Sequence, residues 1–117
     1  MDQFEMIETF KYFIASAMRY AIKSHDVLFE KKCDISVPLA YLNAAISRFS
    51  SAEALYYAHY DILERGEAED LFHRFEEYSN EFLTNVETKH SHQWTDIEFN
   101  KLYDIFDSSA FAFENLS

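Results

Sequence analysis

Apolar residues recur every three or four positions through most of this chain. The longest such stretch, residues 37–66, reads VPLAYLNAAISRFSSAEALYYAHYDILERG and has no breaker between Pro38 and Gly66. Leu42, Ala45, Phe49, Ala52, Tyr56, His59 and Leu63 fall on one face at helical spacing. Pro38 suits a first turn, where its missing N–H is not needed. Gly66 suits the position just past a last turn, where a left-handed residue closes a helix. The pattern predicts one long helix here. Ser50-Ser51-Ala52-Glu53 also matches a capping box that would split it, but the apolar stripe crosses these residues without a change of phase, so one helix is preferred.

Three further helices follow from the same period. Residues 3–31 place Ile7, Phe10, Ile14, Ala17, Ala21, His25 and Leu28 on one face, widened by Met6, Phe13, Tyr20 and Val27. Asp2 with Glu5 three positions on reads as its N-terminal cap. The short connection Cys33–Asp34–Ile35–Ser36 returns the chain antiparallel, with Ser36 as the next N-cap. Residues 67–91 carry the stripe Leu71, Phe75, Tyr78, Phe82 and Val86, with Glu67, Glu69 and Asp70 in the first turn, where acids are favoured. The last helix opens on Thr95-Asp96-Ile97-Glu98, a capping box flanked by Trp94 and Phe99 as a hydrophobic staple. Its stripe is Phe99, Leu102, Phe106, Ala110 and Phe113, widened by Tyr103, Ile105 and Phe111 and ending near Leu116. The expected fold is all-α, a four-helix up-down-up-down bundle forming a single domain over residues 1–117.

Composition agrees with long helices and few loops, since the chain holds one glycine and one proline. Its 12 Phe and 8 Tyr mean that rings fill the core. The apolar faces are wider than a narrow bundle seam needs, so either the bundle is globular and fat or part of one face buries against another chain, which leaves room for a homodimer. The run Tyr56, Tyr57 and Tyr60 is the candidate for that contact, because tyrosine covers area with few torsions and keeps one polar tip; in the other reading Tyr56 is core and Tyr57 and Tyr60 flank it.

Charge narrows the class of partner. Residues 1–60 carry seven acids and six bases, and residues 61–117 carry fourteen acids and four bases. The net charge of −11 therefore sits almost wholly in the second half. Direct nucleic-acid binding needs a basic footprint that is missing here, and an anionic membrane would repel the chain. A basic protein, or an enzyme whose site normally holds nucleic acid, would attract it. The acidic N-terminus and the absence of a long apolar run predict neither a secretory leader nor a membrane span, and point to the cytoplasm of a cell or of an infected host. The single cysteine, Cys33, cannot pair internally and reads as a spectator thiol beside Lys31 and Lys32.

Chemical motifs are few. One glycine cannot supply a phosphate loop, a dinucleotide fingerprint or a nucleophile elbow. Glu87-x-x-His90 has the spacing of carboxylate-bridged metal bundles, and Asp70-x-x-His73 is a near match. Both lie on one predicted helix, at different heights, where a dinuclear site needs such pairs on two helices at one level. Glu53 is the nearest inward acid elsewhere. Glu87 and His90 thus stand as an alternative metal pair, and no cofactor is expected. His25 and His59 are expected at the edge of the core with hydrogen-bond partners.

Residues 47–66, SRFSSAEALYYAHYDILERG, resemble a helix common in HEPN domains, small helical bundles found in toxin–antitoxin and anti-phage systems. In that family the helix tends to read as a Tyr-Tyr-Ala sequence followed by His, then Leu and a closing Gly. Tyr56, Tyr57, Ala58, His59, Leu63 and Gly66 match it. Active members are metal-independent ribonucleases with an Arg followed, four to six residues on, by His. The resemblance would place that role on Arg19 and His25, in the first helix, whereas the family motif usually sits late in the domain. The last quarter of this chain has no arginine.

Small size, high acidity and few motifs together describe a non-enzymatic helical protein that works by binding another protein. Inhibitors, immunity proteins, antitoxins and phage counter-defence proteins share this profile. Tyr57 and Tyr60 would supply the buried contact. Glu69, Asp70, Glu76, Glu77 and Glu81 would face the basic partner, standing in for phosphates if that partner is a nucleic-acid enzyme. A HEPN-like ribonuclease, or a degenerate relative of one, is the alternative, and a metal-binding bundle the second.

Overall fold

A computed structural model of the chain describes residues 2–29, 34–88 and 92–109, and every regular element among them is helical. The order is α1 (Gln3–Leu28), α2 (Ser36–Ala58), α3 (Tyr60–Leu63), α4 (Gly66–Thr88) and α5 (Gln93–Asp107). Four are long and α3 is a single turn, so the count is five rather than the expected four. Cys33 with its lysines, Lys89 and His90, and the expected tail of the last helix (Ala110, Phe111, Phe113, Leu116) lie outside the described residues.

Local chemistry explains where α1 begins. The Asp2 carboxylate accepts a hydrogen bond from the Glu5 backbone N–H at 2.7 Å, the capping arrangement its sequence predicts. At α2 the cap moves by two residues. Asp34, not Ser36, is the acceptor: its Oδ1 takes the Ser36 backbone N–H at 3.0 Å and the Ser36 hydroxyl at 2.9 Å. These bonds, the backbone one first, hold the Asp34 carboxyl below the usual range. Ser36 thereby becomes the first helical residue of α2.

Side-chain pairs set the directions. Tyr20 stacks on Tyr41, the Arg48 Nε–H donates to the Ser16 hydroxyl, and Phe10 meets Tyr56, so α1 and α2 run antiparallel. Tyr78 meets Phe99 while Asn85 meets His92, so α4 and α5 do the same. Within the first pair the backbones lie close, because the buried positions include Ala15, Ser16, Ala17, Ala21, Ala45 and Ala52. Between the pairs, rings act as spacers. Phe10, Phe49, Tyr56, Phe72 and Phe75 interlock at one end, with Phe49 and Phe75 stacked at 4.3 Å between centroids. Towards the other end the Tyr78 and Ser24 hydroxyls meet at 2.7 Å. Ser24 donates to the Ala21 carbonyl at 2.6 Å, so the phenol is the donor to Ser24. Burial pushes the Tyr78 phenol well up from its ordinary value. The particle measures 46 × 23 × 22 Å. The long axis follows from α1, whose length at 1.5 Å per residue is roughly 39 Å.

Two sequence expectations fail for physical reasons. The long helix expected over residues 37–66 passes intact through Ser50-Ser51-Ala52-Glu53 but breaks at His59, which adopts φ −129° and ψ 41°. An unbroken helix would carry Arg65 roughly 13 Å along the axis from Tyr56. The break instead folds residues 64–65 back over the Tyr56 hydroxyl, which accepts the Arg65 backbone N–H at 3.1 Å. Gly66 then opens α4 rather than closing a helix, and its Cα faces open space. The segment that resembles a HEPN helix therefore spans the end of α2, all of α3 and the start of α4.

The second failure is the capping box of the last helix. That helix starts three residues earlier, with Gln93 as its first residue and His92 at the cap position, without a side-chain cap. Thr95 shares the buried face with Phe99, Leu102 and Phe106, and its hydroxyl and Glu98 Oε2 have no hydrogen-bond partner among the described residues. Trp94 is 59 % exposed and Phe99 stacks on His25, so no staple forms.

Two substitutions check these readings by sign. Gly66→Ala is expected to stabilise the fold by about 0.4–1 kcal/mol, because a first-turn position with open space gains from a less flexible unfolded chain. A left-handed cap glycine would give the opposite sign in a denaturant titration. Thr95→Val, which replaces an unpaired hydroxyl with a methyl group, is expected to raise stability by about 1 kcal/mol. Loss of a working helix cap would lower it by a similar amount.

Candidate functional site

The final turn of α2 places Tyr56 and Tyr57 side by side, roughly 100° apart around the helix. Tyr56 points into the core and is fully buried, while Tyr57 is 57 % exposed. Tyr60, three residues on and 42 % exposed, lies beside Tyr57 across the break at His59. The Tyr57 and Tyr60 rings are parallel within 7°, with centroids 6.3 Å apart. Both stand perpendicular to Tyr56, at 5.0 and 5.5 Å. Edge-to-face packing of this kind is favourable, and it fixes the exposed pair against a ring that cannot move.

The reason Tyr56 cannot move is its hydroxyl. It donates to Glu69 Oε2 at 2.7 Å and accepts from the Arg65 N–H; the Arg65 carbonyl lies 3.2 Å away. Burial first, and then the hydrogen bond to Glu69, push this phenol up to about 12. The exposed Tyr60 phenol is also raised, by desolvation and by the charges of Glu64 and Glu69.

Carboxylates border the pair. Glu53 precedes Tyr57 by four residues on α2 and so shares its side of the helix. From α4, Phe72 packs its ring 6.5 Å from that of Tyr57, and Glu69 and Glu76 lie on the same flank. Burial, followed by the charge of Glu76, raises the Glu53 carboxyl. The acids of α4 thus separate into two rows. Glu69 and Glu76 face the tyrosines, whereas Asp70, Glu77 and Glu81 lie towards the opposite flank. Glu69 is committed to Tyr56, and Glu77 pairs with His73 Nε2 at 2.8 Å. Asp70, Glu76 and Glu81 form no ion pair among the described residues.

The other sequence candidates fall elsewhere. His25 sits at the edge of the core, its ring 3.9 Å from and nearly parallel to Phe99. Its Nε2 lies 2.9 Å from Asp96 Oδ1 and its Nδ1 3.2 Å from Asp26 Oδ1. Arg19 is exposed and six residues away, roughly 240° around α1, so Arg19 and His25 do not share a face. Asp70 and His73 do not act together, because His73 turns to Glu77. Glu87 lies in the last turns of α4 and its expected partner His90 lies outside the described residues. Among the described residues no group of three or more His, Cys, Asp or Glu could hold a metal ion. No helix among them is long and apolar enough to cross a membrane.

A cleft of about 210 Å³ between α1 and α3 is lined by Ile7, Phe10, Ile62 and Leu63 with Lys11, Glu64 and Arg65. It falls below the roughly 300–1,000 Å³ of small-molecule pockets. A broader hollow of about 460 Å³ surrounds the exposed Phe4 at the start of α1. Neither hollow gathers a set of catalytic side chains. No family model matches this chain, and no curated protein or solved structure matches it.

The sequence singles out Tyr57 and Tyr60, both of them exposed, but not Glu53 and Glu64 as their neighbours. The four-residue spacing of Glu53 and Tyr57 was a usable signal. Glu64 stands four residues after Tyr60, so the same spacing was available for it.

The Tyr56 hydroxyl gives an alkaline signature. Its neutral form is favoured by the fold, so its contribution is whole below about pH 10, the unfolded phenol's range, and is lost as pH rises towards about 12. Unfolding free energy measured across that interval is expected to fall. Tyr56→Phe, already destabilised at neutral pH by about 1–3 kcal/mol through the abandoned Arg65 N–H and Glu69, is expected to show a shallower fall.

Proposed function

We propose that this chain works without catalysis, as a small acidic helical protein that binds a basic protein partner. Inhibitors, immunity proteins, antitoxins and counter-defence proteins are the class it fits, and a nucleic-acid-binding enzyme is one kind of target. In this reading α1, α2, α4 and α5 act as a four-helix up-down-up-down bundle with α3 as a joint. The contact surface centres on Tyr57 and Tyr60.

The observation that supports this most is the fixed presentation of two exposed tyrosines. Ordering a flexible side chain on association costs roughly 0.5–1.5 kcal/mol. Here Tyr57 and Tyr60 are already parallel to each other and held against the buried Tyr56. Tyrosine is among the residues that dominate interface energies when a partner covers it. The carboxylates on either side supply the charge that selects a basic partner over an acidic one.

A pull-down from extract of the source cells, run at low and moderate salt, tests the reading. The wild-type protein is expected to retain one stoichiometric basic protein, released as salt rises. The double variant Tyr57→Ala/Tyr60→Ala is expected to lose it, with affinity down at least about thirtyfold for two residues worth about 1 kcal/mol or more each. Equal retention by wild type and variant moves the contact off this surface.

A further inference from the structure

We propose that Glu53, Tyr57 and Glu76 form a socket for an arginine side chain of the partner. The inference rests on the reading of this surface as a protein-binding one and goes beyond it by naming the group bound.

Three placements support the socket. Glu53 and Tyr57 are four residues apart on α2, so their Cβ atoms are roughly 5–6 Å apart on one face. Glu76 enters from α4, one turn beyond Phe72, whose ring lies 6.5 Å from that of Tyr57. Tyr60 follows Tyr57 along the strip and Glu53 precedes it, so the two flank the Tyr57 ring from opposite sides. Tyr57 itself is 57 % exposed, so its ring is accessible to a partner.

The electrostatics ask for a cation. Glu53 and Glu76 repel across the seam between α2 and α4, and neither forms an ion pair among the described residues. Both side chains are exposed. A partner cation placed between them relieves the repulsion and adds two attractions at once.

Arginine fits better than lysine on geometry. A guanidinium is planar, stacks on an aromatic face and can bond a carboxylate through two parallel N–H groups. An ammonium supplies the charge without the plane, and gives up more hydration to reach a carboxylate beside a ring. The cation–π contribution of the tyrosine face adds to the arginine preference.

The experiment is a two-dimensional NMR titration of the whole protein at low salt with two capped tripeptides that differ only in a central arginine or lysine. The arginine peptide is expected to shift the Tyr57 ring signals and to bind about fivefold more tightly than the lysine peptide. In Glu53→Gln/Glu76→Gln the preference is expected to vanish, while the thermal midpoint holds or rises because a like-charge pair has been removed. Equal binding of the two peptides overturns the socket, as does no shift with either, or a preference that survives the double substitution. If those results arise while Tyr57→Ala/Tyr60→Ala still abolishes retention of the partner, the binding surface stands and only the socket falls. If the tyrosine variant also binds normally, both readings fall together.

Discussion

A phenol carried into a protein core has to keep its hydroxyl hydrogen-bonded, because an abandoned one costs on the order of 1–3 kcal/mol. Tyr56 meets that requirement through residues that follow it in the chain: the Arg65 backbone and the Glu69 carboxylate. The chain can reach back only by leaving the helix. The break at His59, the single turn of α3 and the position where α4 begins are all consequences of one side chain's need for partners. The exposed pair does not depend on the break, since Tyr60 stands three residues from Tyr57 and lies beside it.

Ser24 and Tyr78 answer the same need farther along the molecule. Here the phenol finds its acceptor on another helix, and no break is required. Between these two polar points the contacts are rings against rings, and large rings hold α4 away from α1 while alanine and serine let α1 and α2 close together. The two hydroxyl bonds give that aromatic layer a fixed register that apolar packing alone specifies weakly. A stack of phenylalanines can slide with little loss of buried area, whereas a displaced phenol leaves a polar group unmet.

What could be read from the sequence was whatever depends on neighbours in the chain. The helical stripes and the Asp2 cap are of this kind, and Asp2 bonds Glu5 as its spacing implies. The break at His59 could not be read, because its cause is a tertiary bond between Tyr56 and residues that an unbroken helix would have carried away. The same cause misplaced Gly66, whose position beyond an apolar stripe looks like a helix end only if the helix reaches it. Thr95 misled for a different reason. Capping boxes and amphipathic stripes use the same residues at this point, and the core claimed Thr95 by its spacing to Phe99 and Leu102. Of the candidate surface, the aromatic half was legible as tyrosines off the buried face. The acidic half was legible as composition but not as arrangement. Glu69 read as a first-turn acid facing the partner, and it is the acceptor of the Tyr56 hydroxyl.

That arrangement decides how much of the net charge can matter to binding. At physiological ionic strength the screening length is about 8 Å, and a helix with its side chains is roughly 10–12 Å across. Asp70, Glu77 and Glu81, on the far flank of α4, therefore lie beyond the range at which they strongly attract a cation seated at the tyrosines. In the proposed reading their effect would be confined to approach, as a broad negative field that raises encounter rates at low salt and fades as salt rises. Glu53, Glu64, Glu69 and Glu76 are within a side chain's length of the rings, and beside apolar surface their attraction is screened much less. One of those four, Glu69, is already committed to Tyr56. In the proposed reading a net charge of −11 would thus reduce, at the contact itself, to the few carboxylates beside the tyrosine rings.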